Sequence, residues 1–213
     1  GQRVLLTASD ALQKQAAMLV IDAGGVPVCR PLIKIVPNVA ALPTLRQMAS
    51  FDWVILTSPS AVRCFGELLR DDGIDLRTVP RLVACGTGTS RALGQMGLRP
   101  DLLPAGNFST AGIVEVLQPK LAPGMRVLRL ASSASDETLG ATLRTGGVEV
   151  TECVLYHNEC VAHETLPRYD AVLFASASAV SAFIKLWGTE SLADKTIVAL
   201  GGPTRAALEQ HGF

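Results

Sequence analysis

The sequence predicts an α/β protein made of two related parallel-sheet domains joined by a two-stranded linker. Three observations carry that expectation. An internal repeat runs through the chain, strand-like and helix-like runs alternate, and two long extended segments fall at matching places in the repeat. Val54-Ile-Leu-Thr-Ser-Pro-Ser-Ala-Val-Arg-Cys-Phe65 returns 118 positions later as Val172-Leu-Phe-Ala-Ser-Ala-Ser-Ala-Val-Ser-Ala-Phe183. Val83-Ala-Cys-Gly-Thr-Gly-Thr-Ser-Arg-Ala-Leu returns 115 positions later as Val198-Ala-Leu-Gly-Gly-Pro-Thr-Arg-Ala-Ala-Leu208. The opening Val4-Leu-Leu, followed by Gly24-Gly-Val-Pro-Val28, is echoed by Val127-Leu-Arg and Gly146-Gly-Val-Glu-Val150. Solenoid units span roughly 20–50 residues, so a period this long means two domains. A cleft between two domains is a common ligand site.

The elements follow in order. Strands are expected at Val4–Thr7, Pro27–Ile35, Trp53–Thr57, Leu82–Cys85, Val127–Leu130, Val148–Tyr156, Ala171–Ala175 and Thr196–Leu200. Each is a short β-branched or apolar run between turn residues. The intervening runs take the helical period. Val62, Phe65 and Leu69 recur at i, i+3, i+7, and Val180, Phe183, Ile184 and Trp187 at i, i+3, i+4, i+7. Such alternation implies parallel sheets covered on both faces. Asp10 with Gln13 resembles a capping box, Ser58-Pro59 an N-cap with proline at N1, and Ser109 a cap for Thr110–Leu117. Thr89 and Thr204 each precede a short helix that ends at a glycine, Gly97 and Gly212.

Val26–Pro37 and Val148–Val161 are longer than ordinary strands. They read as strands that leave one domain and enter the other. One domain would then comprise residues 1–34 plus 158–213, and the inserted one residues 35–157. After Gly97 the first copy continues through Leu98-Arg-Pro-Asp-Leu-Leu-Pro-Ala-Gly-Asn-Phe-Ser-Thr-Ala-Gly-Ile-Val, whereas Phe213 follows Gly212 directly. The discontinuous domain is therefore expected to lack its last strand and helix.

Nineteen basic residues balance nineteen acidic ones. No basic field is available to hold nucleic acid or an anionic membrane, so any bound anion must rely on local donors. No apolar run approaches the ~20 residues of a membrane span. Five cysteines without a C-x-x-C pair read as reduced thiols, and with no secretion signal they point to a cytoplasmic protein.

Hydroxyl-rich turns sit where strands pass into helices. They are Thr57-Ser58-Pro59-Ser60, Gly86-Thr87-Gly88-Thr89, Ala131-Ser132-Ser133, Ala175-Ser176-Ala177-Ser178 and Gly201-Gly-Pro-Thr204. Any one could be an ordinary cap. As a set on the binding edge of an open α/β sheet, beside free N–H groups at helix starts, they point to a polyanionic ligand held by neutral donors. Gly86-x-Gly88 is only a fragment of a dinucleotide fingerprint, lacking a third glycine and a downstream acid, and the Ser-x-Ser turns lack a nucleophile elbow's glycines. Cys153, His157, Cys160 and His163 do not fit metal-ligand spacings. On an extended segment, 153 and 157 should point one way and 160 the other. No cofactor and no metal are expected. A tyrosine phenol (reference pKa about 10) keeps its proton at neutral pH and can donate it. Spacing alone places Tyr156 in core or rim, and Tyr169, which matches Phe51, at a strand entrance.

Taken together these residues resemble the uroporphyrinogen-III synthase family. The matching pieces are Trp53-Val-Ile-Leu-Thr-Ser-Pro-Ser-Ala-Val, Gly86-Thr-Gly-Thr89 with Ala92-Leu93, Pro104-Ala-Gly-Asn-Phe-Ser-Thr-Ala-Gly, Val148–Tyr156, and Gly201-Gly-Pro-Thr204 with Ala207-Leu208. The resemblance implies two flavodoxin-like domains on a two-stranded linker, and a monomer that cyclises hydroxymethylbilane with inversion of ring D and loss of water. It implies Tyr156 as the catalytic group. It implies Ser58, Ser60, Ser176 and Ser178 in turns that meet substrate carboxylates and Thr89 and Thr204 at the binding edge, to which the hydroxyl-rich turns themselves add Thr57, Thr87 and Ser132 as substrate donors. One departure is visible: many members carry Thr-Arg-Pro after the first strand, where this chain has Thr7-Ala8-Ser9. A synthase-like sensor that binds a tetrapyrrole or another polycarboxylate without turnover is the rival reading. A solute-binding protein of the exported type is a third, against which the free thiols and the lack of a signal argue.

Overall fold

A computed structural model describes residues 1–213, except the side chains of Asp10 and Ala11. Among the described residues the chain forms nine strands and eight α-helices in two mostly parallel sheets. It divides into two compact units, one of residues 1–35 and 158–213 and the other of residues 36–157.

The first unit contains β1 (Arg3–Leu6), α1 (Asp10–Asp22), β2 (Val26–Cys29), β8 (Ala171–Phe174), α7 (Ala177–Trp187), β9 (Thr196–Ala199) and α8 (Gly202–Glu209). Its sheet order is β2-β1-β8-β9, and the pairs are parallel. Leu5, Val172 and Phe174 face a core with Phe183, Val180 and Leu208. Phe183 meets Phe174, Tyr169 and Trp187 edge-on, with ring centroids 5.1–6.3 Å apart. The expected cover on both faces is incomplete here. On the far side, Val4 and Leu173 line an open groove of about 510 Å³ with Ala16, Leu19 and Val20 of α1. Val198 of β9 is 46% exposed, whereas Val83, its repeat partner, is fully buried. In the second unit α5 covers this position, and among the described residues of the first unit no helix does.

The second unit contains β3 (Ile33–Pro37), which enters it, α2 (Leu42–Arg46), β4 (Trp53–Leu56), α3 (Pro59–Asp71), β5 (Arg81–Ala84), α4 (Thr87–Gln95), α5 (Thr110–Leu117), β6 (Arg126–Ser132), α6 (Thr138–Arg144) and β7 (Glu149–Cys160), which leaves it. Its sheet order is β3-β7-β6-β4-β5. Trp53, Ile55, Val83 and Val127 pack under Ile113 and Leu117 of α5 and Leu139 and Leu143 of α6. On the other face Val54, Leu56, Leu128 and Leu130 are fully buried, and α3 lies against β4 and β6.

Several expectations need correction. Pro27–Ile35 is not one strand. The N–H groups of Arg30 and Leu32 still bond the Leu6 and Thr7 carbonyls, but β2 ends at Cys29 and β3 begins at Ile33, and each joins a different sheet. The start of α1 is capped at position Ser9, and the Gln13 amide donates to the Leu6 carbonyl at 3.0 Å rather than to a capping box; the Asp10 side chain lies outside the described residues. Ser109 occupies the N-cap of α5, but its hydroxyl donates to Asn107 Oδ1 at 2.6 Å. Thr89 and Thr204 do not precede their helices. They sit in the first turns of α4 and α8, buried. Ser132 ends β6, but α6 begins only at Thr138, after the loop 133–137. Cys153 and His157 do not share a face, since Cys153 is buried and His157 exposed. A bulge between β6 and β7 explains this. Ala131 pairs with Val154 and Ser132 with Tyr156, so one extra residue of β7 resets the alternation.

Tyr169 is buried beneath Lys195, and its hydroxyl donates to the Ser191 carbonyl. Burial pushes its phenol up to about 12. Above the unfolded value near 10 the folded form holds this proton more tightly than the unfolded chain does. Its contribution to stability is therefore complete below about pH 10 and lost as pH rises through about 12. Thermal unfolding between pH 9 and 12 should show a shallower decline in Tyr169→Phe than in the parent. An identical decline would assign the alkaline loss to other groups.

Candidate functional site

Where a parallel strand runs into a helix, the turn at its end exposes the N–H groups of the helix start at one edge of the sheet. In the second unit this edge gathers Thr57 and Ser58 after β4, Thr87 and Thr89 after β5, Ser132 at the end of β6 and Tyr156 on β7. Ser58 adopts extended backbone, and its Oγ accepts the Ala61 N–H at 3.0 Å, capping α3 with Pro59 behind it. The same Oγ lies 3.2 Å from the Tyr156 hydroxyl. Because the Ala61 bond uses only an acceptor lone pair, Ser58 keeps its own proton. It can donate that proton to the phenol oxygen and leave the phenol proton free to go to a ligand.

The bulge puts Tyr156 there. Its partner is Ser132, and its carbonyl accepts the Ser133 N–H at 3.0 Å. Ser132 Oγ lies 3.1 Å from Ser135 Oγ and accepts the Ala134 N–H at 3.3 Å, which closes a small serine turn beside the tyrosine. Thr87 is exposed and Thr57 half-buried. The Cys85 thiol donates to the Thr57 carbonyl at 2.8 Å and lies 4.0 Å from the Thr89 hydroxyl. Burial pushes this thiol above its ordinary range, so it stays protonated and serves as a donor rather than a nucleophile. Gly86 has extended backbone that any residue adopts, and a side chain there would only touch the Phe108 ring at 3.4 Å.

The first unit presents a matching edge. Ser176 Oγ accepts the Ala179 N–H at 3.2 Å and lies 3.0 Å from Ser178 Oγ. Thr204 is buried, and its hydroxyl donates to the Leu200 carbonyl at 3.1 Å. What Thr204 leaves for a ligand is its backbone. Among the described residues, no group of three His, Cys, Asp or Glu side chains could hold a metal ion, and no helix is long and apolar enough to cross a membrane.

One cation at this edge escapes the sequence reading. Arg63 turns back along α3 and donates to Ser60 Oγ at 3.1 Å. The i, i+3 spacing of Ser60 and Arg63 is the signal that could have found it.

A sequence profile of the family described as uroporphyrinogen-III synthase HemD matches residues 14–213. The chain belongs to the uroporphyrinogen-III synthase family. Its similarity to individual members is low. The porphyrin biosynthesis protein HemD of Ruminiclostridium josui is 22% identical over 229 residues, covering all of this chain and 45% of its own length. The uroporphyrinogen-III synthase of Synechococcus elongatus is 27% identical over 165 residues, covering 75% of this chain and 62% of its own length. The chain thus spans about half the length of these curated relatives. A variant of the uroporphyrinogen III synthase of Thermus thermophilus has the same fold, with a TM-score of 0.65 at 22% identity over all of this chain and 90% of that one. Within the synthase family, then, this chain keeps the α/β fold with parallel sheets while sharing about a fifth of its residues with that structure.

Proposed function

We propose that this chain cyclises hydroxymethylbilane to uroporphyrinogen III, inverting ring D and releasing water. The observation that carries the proposal is the Tyr156 hydroxyl held 3.2 Å from Ser58 Oγ at the binding edge of the second unit. Tyr156 gives its phenol proton to the departing ring A hydroxyl, and the Ser58 hydroxyl donates to the phenolate that forms. The pyrrole nitrogen supplies the electron pair, giving an azafulvene. That carbon is attacked by the substituted carbon of ring D, and the spiro intermediate opens and recloses. The protein's larger task is to hold the chain coiled and to exclude direct closure.

The substrate carries eight carboxylates. Neutral donors at Thr57, Ser58, Ser60, Thr87, Ser132, Ser176 and Ser178, with the first-turn N–H groups around Thr89 and Thr204, suit such a ligand without a charged cleft. A charge-assisted hydrogen bond contributes about 1.5–3 kcal/mol, and micromolar affinity needs about 8 kcal/mol. A handful of such bonds suffices even after ordering costs. Ser178→Ala, and equally Ser60→Ala, should weaken substrate binding by only ~1 kcal/mol. A thousandfold loss from either in a titration would contradict recognition spread over many donors. The same reading makes the units a duplicated flavodoxin-like pair on a two-stranded linker, in a monomeric cytoplasmic enzyme.

Incubation with hydroxymethylbilane tests the function. Type III ring formed faster than the spontaneous type I ring supports the enzyme. Binding without turnover supports a tetrapyrrole sensor.

A further inference from the structure

A charge pair lies inside the second unit, where none is needed for folding. Arg129 interrupts the apolar strand β6, and Glu152 is its register partner on β7. The Arg129 side chain is 7% exposed. Its Nη1 donates to Glu152 Oε2 at 3.0 Å and to the Asp136 carbonyl at 2.8 Å. Asp136 belongs to the loop 133–137, which begins at the serine turn beside Tyr156, and its Oδ1 accepts the Thr138 N–H at 2.9 Å to start α6. The helix settles onto the pair through Gly140, where an added Cβ would come within 2.0 Å of Glu152 Oε1.

Stability alone does not explain this arrangement. Arg129 Nε and Glu152 Oε1 are buried without a hydrogen-bond partner among the described residues. Buried ion pairs of this kind are commonly matched or bettered by apolar residues of similar volume. What apolar residues cannot do is aim a donor at the Asp136 carbonyl. That bond fixes one end of the loop. The bond from the Ser133 N–H to the Tyr156 carbonyl fixes the other.

We propose that Arg129, oriented by Glu152, is a positioning residue that holds the loop 133–137 in register beside Tyr156 for the cyclisation. This rests on the function proposed above. Arg129 does not touch substrate. It fixes the serine turn and, through it, the bulged stretch of β7 that carries the phenol.

The test is the double change Arg129→Met with Glu152→Leu in the full chain, alongside Arg129→Lys as the conservative variant. The double variant should keep the parent's melting temperature within a few degrees, since no charge is stranded. Its Ser133, Ser135 and Thr138 amides should exchange hydrogen at least about tenfold faster than the parent's. Its kcat should fall by roughly tenfold, and its product should shift from the type III toward the type I ring. Arg129→Lys should recover part of each change. Parent-like exchange at the three amides overturns the clamp, whether or not the parent is active. Faster exchange with unchanged kcat and product ratio overturns the link to the reaction. A parent that makes no type III ring refutes the functional reading, and the amides alone then decide the clamp. If the double variant does not fold, Arg129→Lys carries the same amide and product comparison.

Discussion

Tyr156→Phe lowers turnover of hydroxymethylbilane by roughly 10²–10⁴ while leaving the fold and substrate affinity nearly intact, if the phenol is the acid that releases ring A's hydroxyl. The change removes one oxygen. Ser58 keeps its bond to the Ala61 N–H, so the cap of α3 survives. The serine turn stays as well, because it is joined to Tyr156 through the backbone carbonyl. The loss should therefore appear in kcat, and KM should hardly move. Single-turnover assays with product separated by ring type would read both. Turnover equal to the parent's would remove Tyr156 from the chemistry and leave positioning as the whole of catalysis.

Phe183→Ala should cost the first unit about 3–5 kcal/mol, the usual range for truncating a buried phenylalanine. Phe183 is fully buried and meets three aromatic rings at once. A domain typically has only about 5–15 kcal/mol to lose. The open groove on the opposite face of the same sheet already denies this unit part of its apolar burial. The two tryptophans make the loss readable unit by unit, since Trp187 lies in the first and Trp53 in the second. Urea unfolding followed by Trp187 emission in a Trp53→Phe background should shift to markedly lower midpoint, whereas the reverse background should show the second unit less affected. A change under about 1 kcal/mol would mean that the ring cluster repacks around the gap.

Much of the fold was readable because it rests on local pattern. The runs Trp53–Leu56 and Ala171–Phe174 are strands because four apolar residues in a row suit a sheet covered on both faces. Ser58 and Ser176 cap their helices because serine before a helical run has few better uses for its oxygen. What was not readable depends on partners distant in sequence. The bulge beside Tyr156 reflects how β6 and β7 pair, and neither strand announces it alone. Simple alternation therefore misplaced His157. Arg129 and Glu152 are 23 positions apart and look like ordinary surface charges until register sets them side by side. Thr89 and Thr204 do belong to helix starts, one turn further in than their spacing suggested, but whether a hydroxyl faces outward or bonds the preceding turn is a matter of one rotamer. The split of Pro27–Ile35 belongs with these, since its halves join different sheets, one beside β1 and the other beside β7.

The pairing of Val4 with Ala171 has a consequence for synthesis. These neighbours lie 167 positions apart (171 − 4), so a nascent β1 leaves the ribosome roughly 8–30 s before β8 exists, at ordinary elongation rates. The intervening 36–157 stretch is contiguous and can fold meanwhile, bringing the two ends of the interrupted sheet nearer and shrinking the closure penalty. Until then the early segment, with Met18, Leu19 and Ile21 exposed even in the folded structure, offers apolar surface that a chaperone could cover.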